Sequence, residues 1–110
     1  MHTKAKGNIA EDRACDYLRS LGYRIIERNV YNRFGEIDII VFKENVLHFV
    51  EVKSGVTYES AVNNITRSKL QKLNRTIQTY LQQKKLNSDY CIDALIVSDE
   101  GIEWIENITL

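Results

Sequence analysis

GEIDIIVFKENVLHFVEVK, residues 35–53, is the stretch whose reading decides the fold. Two apolar runs of strand length, Ile37 to Phe42 and Val46 to Val52, flank the polar trio Lys43, Glu44 and Asn45, the pattern of a β-hairpin. Successive strand side chains point to opposite faces. Glu51 and Lys53 therefore share a face with Leu47 and Phe49, while Val46, His48, Val50 and Val52 take the other. Asp38 goes with Glu36 and Ile40. With Glu44 and Asn45 as the turn, Lys43 pairs with Val46 and Asp38 falls opposite Glu51. A slip of one residue would set Asp38 against Val50 and mix the faces.

Two carboxylates facing each other across a hairpin repel, so a sheet built for stability alone would avoid the pair. Something positive belongs between them. Lys53 lies one pleat from Glu51, roughly 6.5–7 Å along the strand, near enough to share a site. A divalent cation is the other candidate. Mg²⁺ takes hard oxygen ligands and is held by one or two carboxylates, which suits an Asp, a Glu and a nearby backbone carbonyl.

The same residues carry a resemblance. Gly7 to Glu11, Gly22-Tyr23, Asn29, Gly35 to Asp38, Phe49 to Lys53, Thr66 to Lys69 and Asp93 form a pattern similar to the YraN-like family of uncharacterised bacterial proteins, over nearly the whole chain. Asp38 followed by Glu51-Val52-Lys53 resembles the D…ExK signature of the PD-(D/E)XK, restriction-endonuclease-like superfamily. The resemblance implies metal-dependent phosphodiester hydrolysis, with Asp38, Glu51 and Lys53 as catalytic residues. It implies a Mg²⁺ or Mn²⁺ site of Asp38, Glu51, the Val52 carbonyl and Glu11, since a first-helix glutamate completes the site in Holliday-junction-resolvase-like relatives. Gly55 stands where family members commonly carry a basic residue.

Composition sets the bounds. The 110 residues make one domain, 1–110, with a formal net charge of zero. Charge is unevenly spread. From Ser60 to Ser88 there is no acid but six bases, Arg67, Lys69, Lys72, Arg75, Lys84 and Lys85. After Ser88 the sign reverses, with Asp89, Asp93, Asp99, Glu100, Glu103 and Glu106 and no base. Such asymmetry marks either a footprint for phosphate or a solvated helix face. Cys15 and Cys91 form no CxxC and sit in apolar company, so they read as reduced core residues, neither a disulfide frame nor a zinc site. No apolar run approaches a membrane span, and MHTKAKGNIAED lacks a signal h-region, so the chain reads as cytoplasmic.

Along the chain, residues 8–21 predict a helix with an apolar stripe at Ala10, Ala14, Tyr17, Leu18 and Leu21, closed by Gly22. Glu11 lies two turns from Leu18, on the buried side; it either rims the core or delivers a third carboxylate to the site. Tyr23 to Val30 is a strand. Ser54 to Ser60 reads as a loop over the site. Val62 to Leu86 reads as one long helix with its stripe at Val62, Ile65, Leu73, Ile77, Tyr80 and Leu81. Lys69 falls on that stripe, either as a stem packed on the core or reaching toward a phosphate with Arg67 beside it, whereas Lys72 and Arg75 are expected to project elsewhere. Asp89 to Val97 and Ile102 to Ile105 are the last strands. Asp93 reads as a hydrogen-bonded structural carboxylate, and Trp104 and His48 as packing residues.

The order α-β-β-β-α-β-β predicts an α/β fold, a mixed β-sheet flanked by helices, which is the restriction-endonuclease-like core that the resemblance implies. Three functions compete. One is a nuclease acting on DNA, branched or otherwise structured, in preference to RNA; Arg67, Lys69, Lys72 and Arg75 would be its nucleic-acid contacts. The second is a nucleic-acid-binding module with a weak or inactive site. The third is a protein-interaction domain in which Asp38, Glu51 and Lys53 form a structural ion-pair network. Gly55, the neutral net charge and the small size argue for a partner protein, a homodimer would fit a nuclease that acts on both strands, and nothing points to a membrane.

Overall fold

The computed structural model describes residues 2–54, 57–63 and 65–108. Eight elements succeed one another: α1 (His2–Ser20), β1 (Arg24–Asn32), β2 (Gly35–Lys43), β3 (Val46–Ser54), α2 (Tyr58–Asn63), α3 (Arg67–Gln83), β4 (Asp89–Ser98) and β5 (Gly101–Ile105). The strands form one sheet in chain order, β1-β2-β3-β4-β5, with β3 and β4 parallel and the other pairs antiparallel. A parallel pair needs a crossover, and the helical segment between β3 and β4 supplies it. The result is an α/β fold in which helices flank a mixed sheet, consistent with a restriction-endonuclease-like core.

The hairpin has the expected register. Lys43 pairs with Val46 and Ile39 with Val50, where the pairing ends, so the next residue outward is Asp38 on β2 and Glu51 on β3. Glu44 and Asn45 adopt φ of 52° and 67°, the left-handed pair of a tight turn that matches the twist of the strands. Alternation then divides the core in two. Ile39, Val41 and Val50 pack with Leu95 and Val97 against Ala10, Ala14, Cys15 and Leu18 of α1. Ile40, Leu47, Phe49 and Ile92 pack against Leu73, Ile77, Tyr80 and Leu81 of α3.

Alternation fails at one place. Ile37 belongs to the α3 side and Ile39 to the α1 side, so β2 turns over at Asp38. The neighbouring strand is irregular there too. Its register shifts between Ile25 and Glu27, and Asn29, which falls opposite Asp38 between the pairs Arg28–Ile39 and Val30–Ile37, sits at φ 53°. Asparagine tolerates that left-handed backbone better than most residues, which gives Asn29 its physical role.

Several boundaries differ from the sequence reading. Helix α1 starts at His2, and Leu21 lies beyond it, 39% exposed instead of on the buried stripe. Gly22, at φ 90°, does close it, with the Tyr23 amide donating to the Leu18 carbonyl. The single helix expected over Val62 to Leu86 is two helices. Thr66 is extended at φ −99°, ψ 159° and its hydroxyl accepts from the Lys69 amide at 3.2 Å, a helix cap where continuous helix was expected. In the expected loop, Ser54 ends β3, Gly55 and Val56 lie outside the described residues, and Tyr58 opens α2. Cys15 is buried as expected, whereas Cys91 is only half-buried and lies beside His48 and Asp93, not in apolar company. Among the described residues no helix is long and apolar enough to cross a membrane.

Candidate active site

Asp38, Glu51 and Lys53 come together where β2 and β3 part. The Val52 amide donates to Asp38 Oδ2 at 2.8 Å, which ties the β2 carboxylate to the β3 backbone between Glu51 and Lys53. Lys53 Nζ stands 3.9 Å from Glu51 Oε2, too far for a hydrogen bond though close enough for attraction. From α1 comes Glu11, and from the start of β2 Glu36; one carboxylate oxygen from each lies within 4.8 Å of one from Asp38. The turnover of β2 at Asp38 is what lets a residue of the α1 side meet carboxylates of the α3 side.

The electrostatics are those of a site short of positive charge. Burial pushes the Asp38 carboxyl up to about 6; the Val52 amide and Lys53 oppose this, and the charges of Glu11 and Glu36 add to it. Burial likewise pushes Glu51 up to about 8, helped by the charge on Asp38 and opposed by Lys53. Carboxylates in a satisfied ion-pair network move the other way. Glu11 shows the same deficit. It is 9% exposed and its Oε1 is buried with no hydrogen-bond partner. Arg28 is shared: its guanidinium lies 3.6 Å from that oxygen and closer, at 2.8 Å, to Asp12.

Beside the carboxylates lies a cavity of about 220 Å³. Glu36, Glu51 and Lys53 form its sheet side, and Lys69 and Lys72 of α3 edge it over an apolar floor that includes Leu73 and Ile108. Lys69 thus lines the cavity, on the same side of the sheet as Glu51. Lys72 was expected to project elsewhere and instead lines the cavity. The reason is Thr76, one turn further on, which is almost fully buried and bonded to the Lys72 carbonyl at 3.0 Å. The buried face of α3 is wider than its apolar residues indicate. Arg67 is exposed in the first turn and is not among the cavity residues. Arg75 is also outside, stacked 5.5 Å from the Phe34 ring.

The seat of α3 is set by the turn between β1 and β2. Asn32 Oδ1 accepts from the Phe34 amide at 3.0 Å, and Asn32 Nδ2 donates to the Thr76 carbonyl at 3.1 Å. Gly35 completes the approach, because a Cβ there would lie 3.1 Å from Thr76 Oγ1. Glu36 was not singled out from the sequence as a site residue. The signal was present in its place two residues before Asp38 on the same strand.

Residues 10–97 match the model of the uncharacterised protein family UPF0102. The chain belongs to the UPF0102 family. A UPF0102 protein of Sulfurimonas denitrificans is 57% identical over 108 residues, covering 98% of this chain and 99% of its own. One from Helicobacter pylori strain HPAG1 is 54% identical over 106 residues, 96% of this chain and 92% of its own. Another, from Helicobacter hepaticus, is 52% identical over 110 residues, 100% and 99% respectively. UPF0102 membership agrees with the resemblance read from the GEID and FVEVK segments.

Proposed function

We propose that this UPF0102 chain is a metal-dependent nuclease that hydrolyses phosphodiester bonds in DNA, branched or otherwise structured. The observation that carries the proposal is the convergence of Glu11, Glu36 and Asp38, with Glu51 and Lys53 next to Asp38, beside a cavity edged by lysines. The donor set fits a hard cation. It is all oxygen, and Glu11 Oε1 is a buried acceptor that receives no hydrogen bond.

Glu11, Asp38, Glu51 and the Val52 carbonyl would hold one or two Mg²⁺ or Mn²⁺ ions. Such an ion, when bound, acidifies water and stabilises charge on a phosphoryl oxygen. Lys53 orients the attacking water or stabilises the negative charge that develops on the phosphate. Lys69 and Lys72 fix the phosphate backbone across the cavity from Glu51, and Arg67 and Arg75 extend the contact along the strand. A structural ion-pair network is the weaker reading, since such a network lowers the pKa of its carboxylates and here both rise.

The test is calorimetric titration of Mg²⁺ and Mn²⁺ into the wild type and Glu51→Ala, alone and with branched or single-stranded DNA, and then a cleavage assay on the same DNA. Metal binding that needs Glu51, is strengthened by DNA and leads to cleavage is the expected result. Metal and DNA binding without cleavage would leave a binding module. No metal binding in any of these conditions would overturn the proposal.

A further inference from the structure

On the opposite face of β3 from Glu51, His48, Cys91 and Asp93 form a second cluster. His48 is paired directly with Cys91 across the parallel β3–β4 ladder, and Asp93 comes two residues later on the same side as Cys91. His48 Nδ1 lies 2.6 Å from Asp93 Oδ2 and 3.0 Å from Cys91 Sγ, and the thiol donates to Asp93 Oδ1 at 3.5 Å. The Asn107 amide donates to Asp93 Oδ1 at 2.8 Å. Asp93 is fully buried, His48 nearly so and Cys91 half-buried. Tyr23 and Trp104 present their rings edge-on to the imidazole at 5.2 Å and 6.2 Å.

We propose that His48, Cys91 and Asp93 are a metal site, separate from the carboxylate cluster, that binds one zinc-class divalent ion through Nδ1, the thiolate sulfur and a carboxylate oxygen. One ligand atom from each lies within 4.8 Å of the others. The donor chemistry selects the ion, since imidazole and thiolate favour Zn²⁺ or Co²⁺ over Mg²⁺. The spacing is nearly right. Zinc bond lengths at a tetrahedral angle separate N from O by about 3.3 Å and N from S by about 3.6 Å. Each pair must therefore open by about 0.6–0.7 Å, within the reach of small side-chain rotations.

The same geometry argues against a nucleophilic cysteine. In a triad the thiol and the carboxylate address different ring nitrogens, whereas here both face Nδ1. A bound cation supplies the positive charge that this corner lacks: the thiol proton leaves to solvent, and the imidazole proton moves from Nδ1 to Nε2. The ion would fasten β3 to β4.

The experiment uses the full chain, stripped with chelator and kept reduced. Co²⁺ should give one thiolate-to-cobalt charge-transfer band in the near ultraviolet and strong visible bands of tetrahedral cobalt, saturating at one ion per chain. Zn²⁺ should bleach them, and excess Mg²⁺ should not. Cys91→Ser should lose the near-ultraviolet band. His48→Gln should weaken Zn²⁺ binding by at least about 100-fold, given that removing mere outer-shell partners costs 10- to 100-fold. Glu51→Ala should keep the full signal. No thiolate–cobalt band in the folded wild type overturns the proposal. So does a band that survives in Cys91→Ser, which would assign it to Cys15.

Discussion

Replacing Glu51 with glutamine removes a charge and keeps the shape, and the electrostatics of the site give the sign of the change in stability. Asp38 and Glu51 hold their protons more tightly in the folded chain than in the unfolded one, so folding takes up protons between about pH 4 and pH 8. Stability therefore falls as pH rises through that window. At 1.36 kcal/mol per pH unit, the interval for Glu51 from 4.5 to about 8 corresponds to at most roughly 5 kcal/mol. A quarter of the Glu51 side chain meets solvent, and its repulsion with Asp38 is shared between the two. Water and sharing together bring the expected figure down to about 2 kcal/mol. Without divalent ions at pH 8.5, Glu51→Gln should then melt about 8 °C above the wild type, taking ~4 °C per kcal/mol for a domain of this size. At pH 4, where the wild-type carboxyl is itself neutral, the two should melt together. Saturating Mg²⁺ at pH 8.5 should raise the wild type and leave the variant where it was. Thermal unfolding monitored by circular dichroism measures all three. A variant less stable than the wild type at pH 8.5, or a gap equally large at pH 4, would mean that Glu51 is held by satisfied partners and that the site lacks no charge.

Other substitutions separate the remaining roles. Lys53→Ala should lower the cleavage rate by about 100-fold or more, the scale of losing a proton-transfer or charge-stabilising group, while calorimetry still detects metal binding; an unchanged rate removes Lys53 from the chemistry. Lys69→Ala and Lys72→Ala should each flatten the plot of log affinity for DNA against log salt by about 0.7–0.9. An unaltered slope for Lys72 would mean that its position at the cavity is incidental. Asn29→Ala should cost about 1 kcal/mol in urea unfolding and Asn29→Gly close to nothing, because only the left-handed backbone at φ 53° is at issue. Equal losses would point to the side chain instead. Asp93→Ala, measured in chelator, should cost about 3 kcal/mol, since His48, Cys91 and the Asn107 amide all lose their acceptor. A loss below about 1 kcal/mol would show that water replaces it.

The site's centre was legible because it is local. A two-residue turn at Glu44-Asn45 fixes the register as far as Ile39–Val50 and so brings Asp38 and Glu51 to the same end of the hairpin, all within residues 35–53. Glu11 was legible as a carboxylate on a buried helix face, though not the irregularity at Asp38 and Asn29 that brings it within reach. Helix α3 was misread at both levels. Its apolar pattern runs on through Val62 and Ile65 across the Thr66 cap, and buried Thr76 adds no apolar signal to the face it lies on. Lys72 was misplaced as a result. The His48, Cys91 and Asp93 cluster left no local trace. It depends on the register of two parallel strands whose paired residues are 43 apart, and hydrophobic pattern does not encode that number.

The ends of the sheet bear on how two copies of this chain would meet. Strand β5 is five residues long, and β1 carries a register shift and a left-handed residue along its length. Short or kinked borders offer a poor template for another chain's backbone, so the sheet resists being extended by a neighbour. Two copies that met would therefore have to do so through surfaces other than the borders of the sheet.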